Sequence, residues 1–149
     1  MAVEAFIAGY RVLYTAPTAE QVGAFWSEVT NALAPLVNIG YLKKNESENF
    51  IELPGTIQRI KAKTAWNADS LRGDWADLLI MDEYQLTNED AWGVVGMPML
   101  MDRNGVALFI YTPPSLRSTG ISKARDPRHA AKLFKYAETH EGWQAFHFT

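Results

Sequence analysis

The chain has 149 residues, no cysteine, a hydrophobic fraction of 48%, a charged fraction of 21% and a net charge of −3. That length suits one domain, able to bury about 68–70% of the surface its unfolded chain exposes. The composition excludes disulfides, thiolate zinc sites and cysteine nucleophiles. It also excludes a membrane-spanning run of about 18 apolar residues, and with no global basic footprint any nucleic-acid contact has to be local.

Met1 to Ala8 reads as the end of a helix, with Val3, Phe6 and Ile7 on one face and Gly9 as the stop. No N-cap precedes it, and the basic n-region and cleavage site of a signal peptide are missing. Arg11 to Thr15 is a first strand, broken by Ala16-Pro17. Thr18 and Gln21 then form a capping box. Val22, Phe25, Val29 and Leu33 recur at helical spacing behind it, so a helix is predicted from Ala19 to about Ala34, with Pro35 near its end.

Phe50 to Leu53 is extended, Pro54-Gly55 is a turn, and Thr56 to Lys63 alternates as a strand. Arg59, Lys61 and Lys63 project from its polar face. They read either as the charged, solvated edge of a hairpin or as a basic ribbon along a phosphate backbone. Asn67 to Asp74 is a polar loop that leads through Trp75-Ala76-Asp77 into Leu78-Leu79-Ile80-Met81-Asp82-Glu83. Four apolar residues running straight into two carboxylates fit a strand buried on both faces, as in a parallel sheet covered by helices.

Thr87-Asn88-Glu89-Asp90 opens another helix with an acidic first turn. Trp92, Val95, Met99 and Leu100 are its apolar positions, and Pro98 must kink or end it. Val106 to Tyr111 is a second wholly apolar strand, followed at once by Thr112-Pro113-Pro114. Leu116 to Arg125 is expected to be a mobile basic loop. Asp126-Pro127 is an N-cap with proline at the first helical position, opening a helix to about His140. Trp143 to Thr149 alternates as a last strand. This order predicts an α/β fold with a mainly parallel sheet flanked by helices and an inserted β-hairpin. The three histidines have no metal-site spacing, and no Gly-x-Ser-x-Gly elbow occurs.

Ligands of such sheets bind at the carboxyl ends of the strands, where Asp82 and Glu83 stand. The first can hold Mg²⁺ beside nucleotide phosphates, and the second can orient and deprotonate an attacking water. The plainer alternative is a strand that ends in a solvated acidic turn.

Several segments, in order and spacing, resemble the ATPase domain of the large terminase subunit, the DNA-packaging motor of tailed phages. Tyr14-Thr15-Ala16-Pro17-Thr18 is similar to the strand and loop after Walker A that terminases share with helicases. Ser70-Leu71-Arg72-Gly73 is similar to a terminase segment before the acidic strand. Leu78 to Glu83 resembles Walker B, and Phe109-Ile110-Tyr111-Thr112-Pro113-Pro114 resembles the coupling motif. The resemblance implies a P-loop NTPase-like fold that uses ATP and Mg²⁺. Asp82 would serve the metal, Glu83 would activate water, and Thr112 would sense the γ-phosphate. Arg72, eleven residues before Glu83, would act on the ATP of a neighbouring subunit, or else form a salt bridge with Asp69, Asp74 or Asp77. Implied partners are double-stranded DNA, a portal, a small terminase subunit and further copies in a ring, in the cytoplasm of an infected cell and with no membrane.

The chain departs from that pattern. A phosphate loop needs G-x-x-x-x-G-K-[ST], and no Gly-Lys pair occurs. The resemblance puts that motif just before Met1 and a nuclease domain after Thr149. Residues 1–149 are therefore expected to be one partial ATPase domain, incomplete at both ends. Alone, it should be inactive as an ATPase and a nuclease, with an exposed apolar strand edge that promotes self-association. Two alternatives remain: a fragment of a helicase-type ATPase, whose acidic boxes Asp82-Glu83-Tyr84-Gln85 resembles, and a non-catalytic remnant or interaction module.

Overall fold

The computed structural model describes residues 1–65, 71–112 and 124–147. Its core is a six-stranded sheet. In chain order come α1 (Ala2–Ile7), β1 (Arg11–Ala16), α2 (Ala19–Asn38), β2 (Lys43–Asn45), β3 (Phe50–Glu52), β4 (Arg59–Thr64) and β5 (Leu78–Met81). A 3₁₀ turn (Tyr84–Leu86), a π-helical stretch (Ala91–Gly96), α3 (Met97–Met101), β6 (Val106–Phe109) and α4 (His129–Thr139) follow. The strand order is β2-β3-β4-β1-β5-β6. β4, β1, β5 and β6 run parallel, and β2 and β3 add an antiparallel hairpin on β4. The sheet is thus mixed and mostly parallel, as the element order predicts.

All four residues of β5 are buried. Leu78 and Ile80 enter the cluster made with α1 and α2, among Val12, Trp26 and Ile60. Leu79 and Met81 point the other way, among Leu13, Leu71, Tyr84 and Leu100. Burial on both faces explains why this strand shows no polar alternation. α2 starts with the N-cap half of its capping box, the Thr18 hydroxyl accepting from the Gln21 N–H at 3.3 Å and donating to the Gln21 side-chain oxygen at 3.1 Å.

Three expectations need correction. α2 does not stop near Ala34 but passes through Pro35 to Asn38, because Leu36 and Val37 pack on the core and hold the last turn. Pro98 falls in the first turn of α3, directly after the π-helical stretch gives way to α-helix at Met97. α4 begins at His129, and Asp126 instead accepts the Arg128 N–H at 2.9 Å in a preceding turn. Residues 143–147 form no strand: the Trp143 ring packs on Phe109 and Tyr136, covering β6 rather than extending the ladder. The expected basic loop falls largely on residues 113–123, outside the described residues.

β6 ends the sheet, and its outer edge pairs with no other strand among the described residues. Val106 and Ile110 are 63% and 45% exposed along it. Open apolar edges recruit other strands. Light scattering of the isolated chain is expected to show association that grows with concentration. A single monomeric species across the range would count against an adhesive edge.

Candidate functional site

The carboxyl ends of β1, β5 and β6 lie side by side. Asp82 continues the β5–β1 ladder by one bond, its N–H donating to the Thr15 carbonyl at 2.9 Å. The Thr15 hydroxyl donates to the Ile80 carbonyl at 3.1 Å, tying the two strand ends together. Tyr84 N–H donates to the Ile110 carbonyl at 3.0 Å, so the turn after β5 is also tied to the end of β6.

Glu83 occupies the left-handed region, with φ 51° and ψ 43°. For a non-glycine residue that conformation costs roughly 1–2 kcal/mol. It is held by the Glu83 N–H donating to Asp82 Oδ1 at 2.9 Å and by Leu86 N–H donating to the Glu83 carbonyl at 3.0 Å. Strain over-determined in this way is a mark of functional turns. It folds the chain back immediately after Asp82, so that the two carboxylates stay at one strand end.

Two further side chains complete the site. Tyr14 donates its hydroxyl to Asp82 Oδ2 at 2.5 Å, and its ring stacks on Phe25 with centroids 3.9 Å apart. Burial, then the bond to Asp82, pushes the phenol well above its ordinary pKa, so Tyr14 stays protonated as the donor. Gln85 donates its amide N–H to Glu83 Oε2 at 2.9 Å and accepts the Thr112 N–H at 3.3 Å. One amide therefore links the proposed water-activating carboxylate to the proposed phosphate sensor, which lies 27 positions beyond Gln85 along the chain. Behind the turn, His129 of α4 sits edge-on to Tyr84 at 4.5 Å. Sequence reasoning passed over Tyr14 as a buried strand residue and Gln85 as a motif ending. Their roles come from contacts over 68 and 27 positions.

A groove of about 500 Å³ opens onto Asp82, lined by Tyr14, Gln21, Phe25, Leu108 and Ile110 among others. The donor set suits Mg²⁺, which takes one or two carboxylates and keeps water and phosphate oxygens as its other ligands. No cluster of three or more His, Cys, Asp or Glu side chains that could hold a metal ion occurs among the described residues.

Arg72 is exposed on a turn closed by the Asp74 N–H donating to the Leu71 carbonyl at 3.3 Å. Leu71 is fully buried on one side of it. On the other side the Asp74 side chain, 8% exposed, receives Lys63 at 2.6 Å, Lys61 at 3.2 Å and Arg59 at 3.4 Å. Asp77 accepts from Arg103 and from the Arg11 N–H, both at 2.9 Å. Asp69, the remaining expected partner of Arg72, lies outside the described residues. The solvated hairpin edge is corrected as well. β4 is an interior strand, and its three cations are largely covered and converge on one carboxylate.

Burial pushes the Asp74 carboxyl up, but Lys63 and Lys61 more than offset this and hold it below its ordinary value. A lowered folded pKa contributes stability above the ordinary carboxylate range, which is lost as pH falls through the folded value. Asp74→Asn is expected to cost about 3 kcal/mol at neutral pH by leaving clustered cations unpaired. It should also flatten the acid limb of stability measured by urea unfolding from neutral pH to below pH 4. An unchanged acid limb would remove Asp74 from this role.

The layered, mostly parallel sheet with an acidic pair at the end of a central strand defines a P-loop NTPase-like α/β fold. Among solved structures the chain is similar to the ATPase domain of the Thermus phage P74-26 large terminase, with 25% identity and a TM-score of 0.63, covering 78% of this chain and 53% of that one. An arginine-to-alanine variant of the same domain gives 24% identity, a TM-score of 0.63 and coverage of 78% and 54%. The chain has the fold of part of a phage large-terminase ATPase domain and spans about half the length of the structures it matches. No protein-family model and no curated protein matches the sequence. No helix among the described residues is long and apolar enough to cross a membrane.

Proposed function

We propose that this chain is part of a viral DNA-packaging ATPase, a terminase large subunit that couples ATP hydrolysis to movement of double-stranded DNA. The observation that carries the reading is the joined site at the strand ends: Asp82 and Glu83 after β5, linked through Gln85 to Thr112 after β6. The likeness to terminase ATPase domains supports it.

In this reading Asp82 holds Mg²⁺, which when bound neutralises charge on the nucleotide phosphates. Tyr14 and the Glu83 N–H each engage one Asp82 oxygen and so fix the carboxylate plane. Glu83 orients the attacking water and takes its proton. Gln85 holds Glu83 against the turn at Thr112, so a displacement of that turn by the γ-phosphate reaches Glu83 through one side chain. Arg72 reaches from its anchored turn toward the nucleotide of a neighbouring copy in a ring. The chain itself offers no phosphate loop, so hydrolysis belongs to a protein that also supplies that cradle.

The test is to read the codons upstream of Met1 in the same frame, express the extended protein and measure Mg·ATP hydrolysis with and without DNA. DNA-stimulated hydrolysis is the expected result. An extended protein that binds no Mg·ATP would favour a non-catalytic interaction module.

A further inference from the structure

His129, the first residue of α4, is a buried titratable group with no part in the proposed hydrolysis. It is 8% exposed, and both ring nitrogens are buried without a hydrogen-bond partner. A neutral imidazole always carries one N–H donor. Leaving that donor unpaired in a core costs stability, a cost that a leucine or phenylalanine in the same place would not carry. A buried polar group kept on such terms calls for a use.

The neighbours of the ring point to that use. It meets Tyr84 edge-on at 4.5 Å, and Tyr84 stands between Glu83 and Gln85 in the chain. Burial lowers the pKa of the ring more than Glu89, the Gln85 carbonyl, Asp126 and the Thr87 carbonyl raise it, so the ring is neutral at neutral pH. The other charged groups around it are already paired. Arg125 bridges Glu89 and Asp90, and Lys132 pairs with Asp126. These contacts hold the start of α4 against residues 84–90. Two backbone carbonyls of the turn, those of Gln85 and Thr87, therefore compete for one ring N–H, and the structure shows the ring committed to neither.

We propose that His129 is a positioning residue for Glu83: its ring N–H, taken up by the Gln85 carbonyl, sets the turn from which Glu83 orients water. Gln85 is the residue through which this can act, because its side chain donates to Glu83 Oε2 and accepts the Thr112 N–H. Engagement of the Gln85 carbonyl holds all three residues in one arrangement. Transfer of the same N–H to the Thr87 carbonyl releases Gln85 and moves the hold one residue past Leu86. The Tyr84 ring, packed between His129 and Phe109, keeps the imidazole close to the turn in both arrangements. α4 thus has a direct route to the strand-end site that does not pass through the sheet. The inference rests on the proposed role of Glu83 in hydrolysis; the link from His129 to Gln85 does not.

The experiment has two arms. NMR of the isotope-labelled full chain follows the His129 ring, the Gln85 side-chain amide and the Thr112 N–H through a pH titration. The Gln85 and Thr112 signals are expected to move with the His129 midpoint, which lies below the ordinary histidine value. They should lose that step in His129→Phe, which keeps an aromatic edge for Tyr84 but has no nitrogen. His129→Leu gives the same comparison if the larger ring overpacks the site. In the extended protein, His129→Phe should lower kcat several-fold and leave the KM for Mg·ATP unchanged. Its urea midpoint should stay at or above that of the parent, since an unpaired buried donor is gone. His129→Gln, which restores an amide N–H, should recover part of the lost kcat. A histidine that only fills space predicts instead that kcat follows stability. Two results would overturn the proposal: Gln85 and Thr112 signals indifferent to the His129 titration, or the parent kcat in both the Phe and the Leu variants. An extended protein that hydrolyses no ATP would sink the proposed function, while the NMR titration still decides the link from His129 to Gln85.

Discussion

Glu83→Gln, in a protein extended to carry a phosphate loop, lowers kcat by about 10²–10⁴-fold, the range for removing a positioned general base. Nucleotide affinity should stay within a few-fold. The amide keeps the shape of the side chain and an oxygen that can accept the Gln85 N–H, so the turn is not disturbed. What it loses is basicity toward water. Asp82→Asn should behave differently, because it weakens the proposed metal ligand and exchanges an oxygen that Tyr14 engages. Its loss is expected in the KM for Mg·ATP and in the Mg²⁺ concentration needed, as well as in kcat. Steady-state kinetics over Mg²⁺ concentration separates the two. Equal effects on KM from both variants would mean that the carboxylates share one role.

Arg72→Ala is expected to lower ATP hydrolysis by about 10³–10⁵-fold, the range for a cation that meets transition-state charge. The turn that carries it is anchored by buried Leu71 before and by Asp74 with its three cations after, so removing the exposed side chain should leave the fold intact. Acting between subunits has a distinct signature. Mixing Arg72→Ala protein with Glu83→Gln protein would rebuild sites in which a normal Glu83 faces a normal Arg72. Partial recovery of activity in the mixture is the expected result. A mixture no more active than its components would make Arg72 a residue of its own subunit.

Much of the fold was legible in local chemistry. The run Leu78 to Met81 is apolar on both faces because helices and loops cover both faces of β5, and a continuous apolar run is the mark of that burial. Thr18 and Gln21 announced the start of α2 because a capping box closes within four residues. The end of α2 was not legible. Proline argues locally for a stop, while packing of Leu36 and Val37 argues more strongly for continuation. Of the alternating residues Trp143 to His147, Trp143 packs its ring on Phe109 of β6 while Phe146 is exposed, so the alternation does not mark a strand.

The candidate site divides in the same way. Adjacency of Asp82 and Glu83 after an apolar strand is a covalent fact, so their type, order and place at a strand end could be read from the chain alone. Three things required the folded sheet: Tyr14 on Asp82, Gln85 between Glu83 and Thr112, and Asp74 gathering Arg59, Lys61 and Lys63 into one cluster. Each joins residues whose separation along the chain carries no signal of contact. Parallel pairing brings them together, because it sets strands from distant parts of the chain side by side with their carboxyl ends in register.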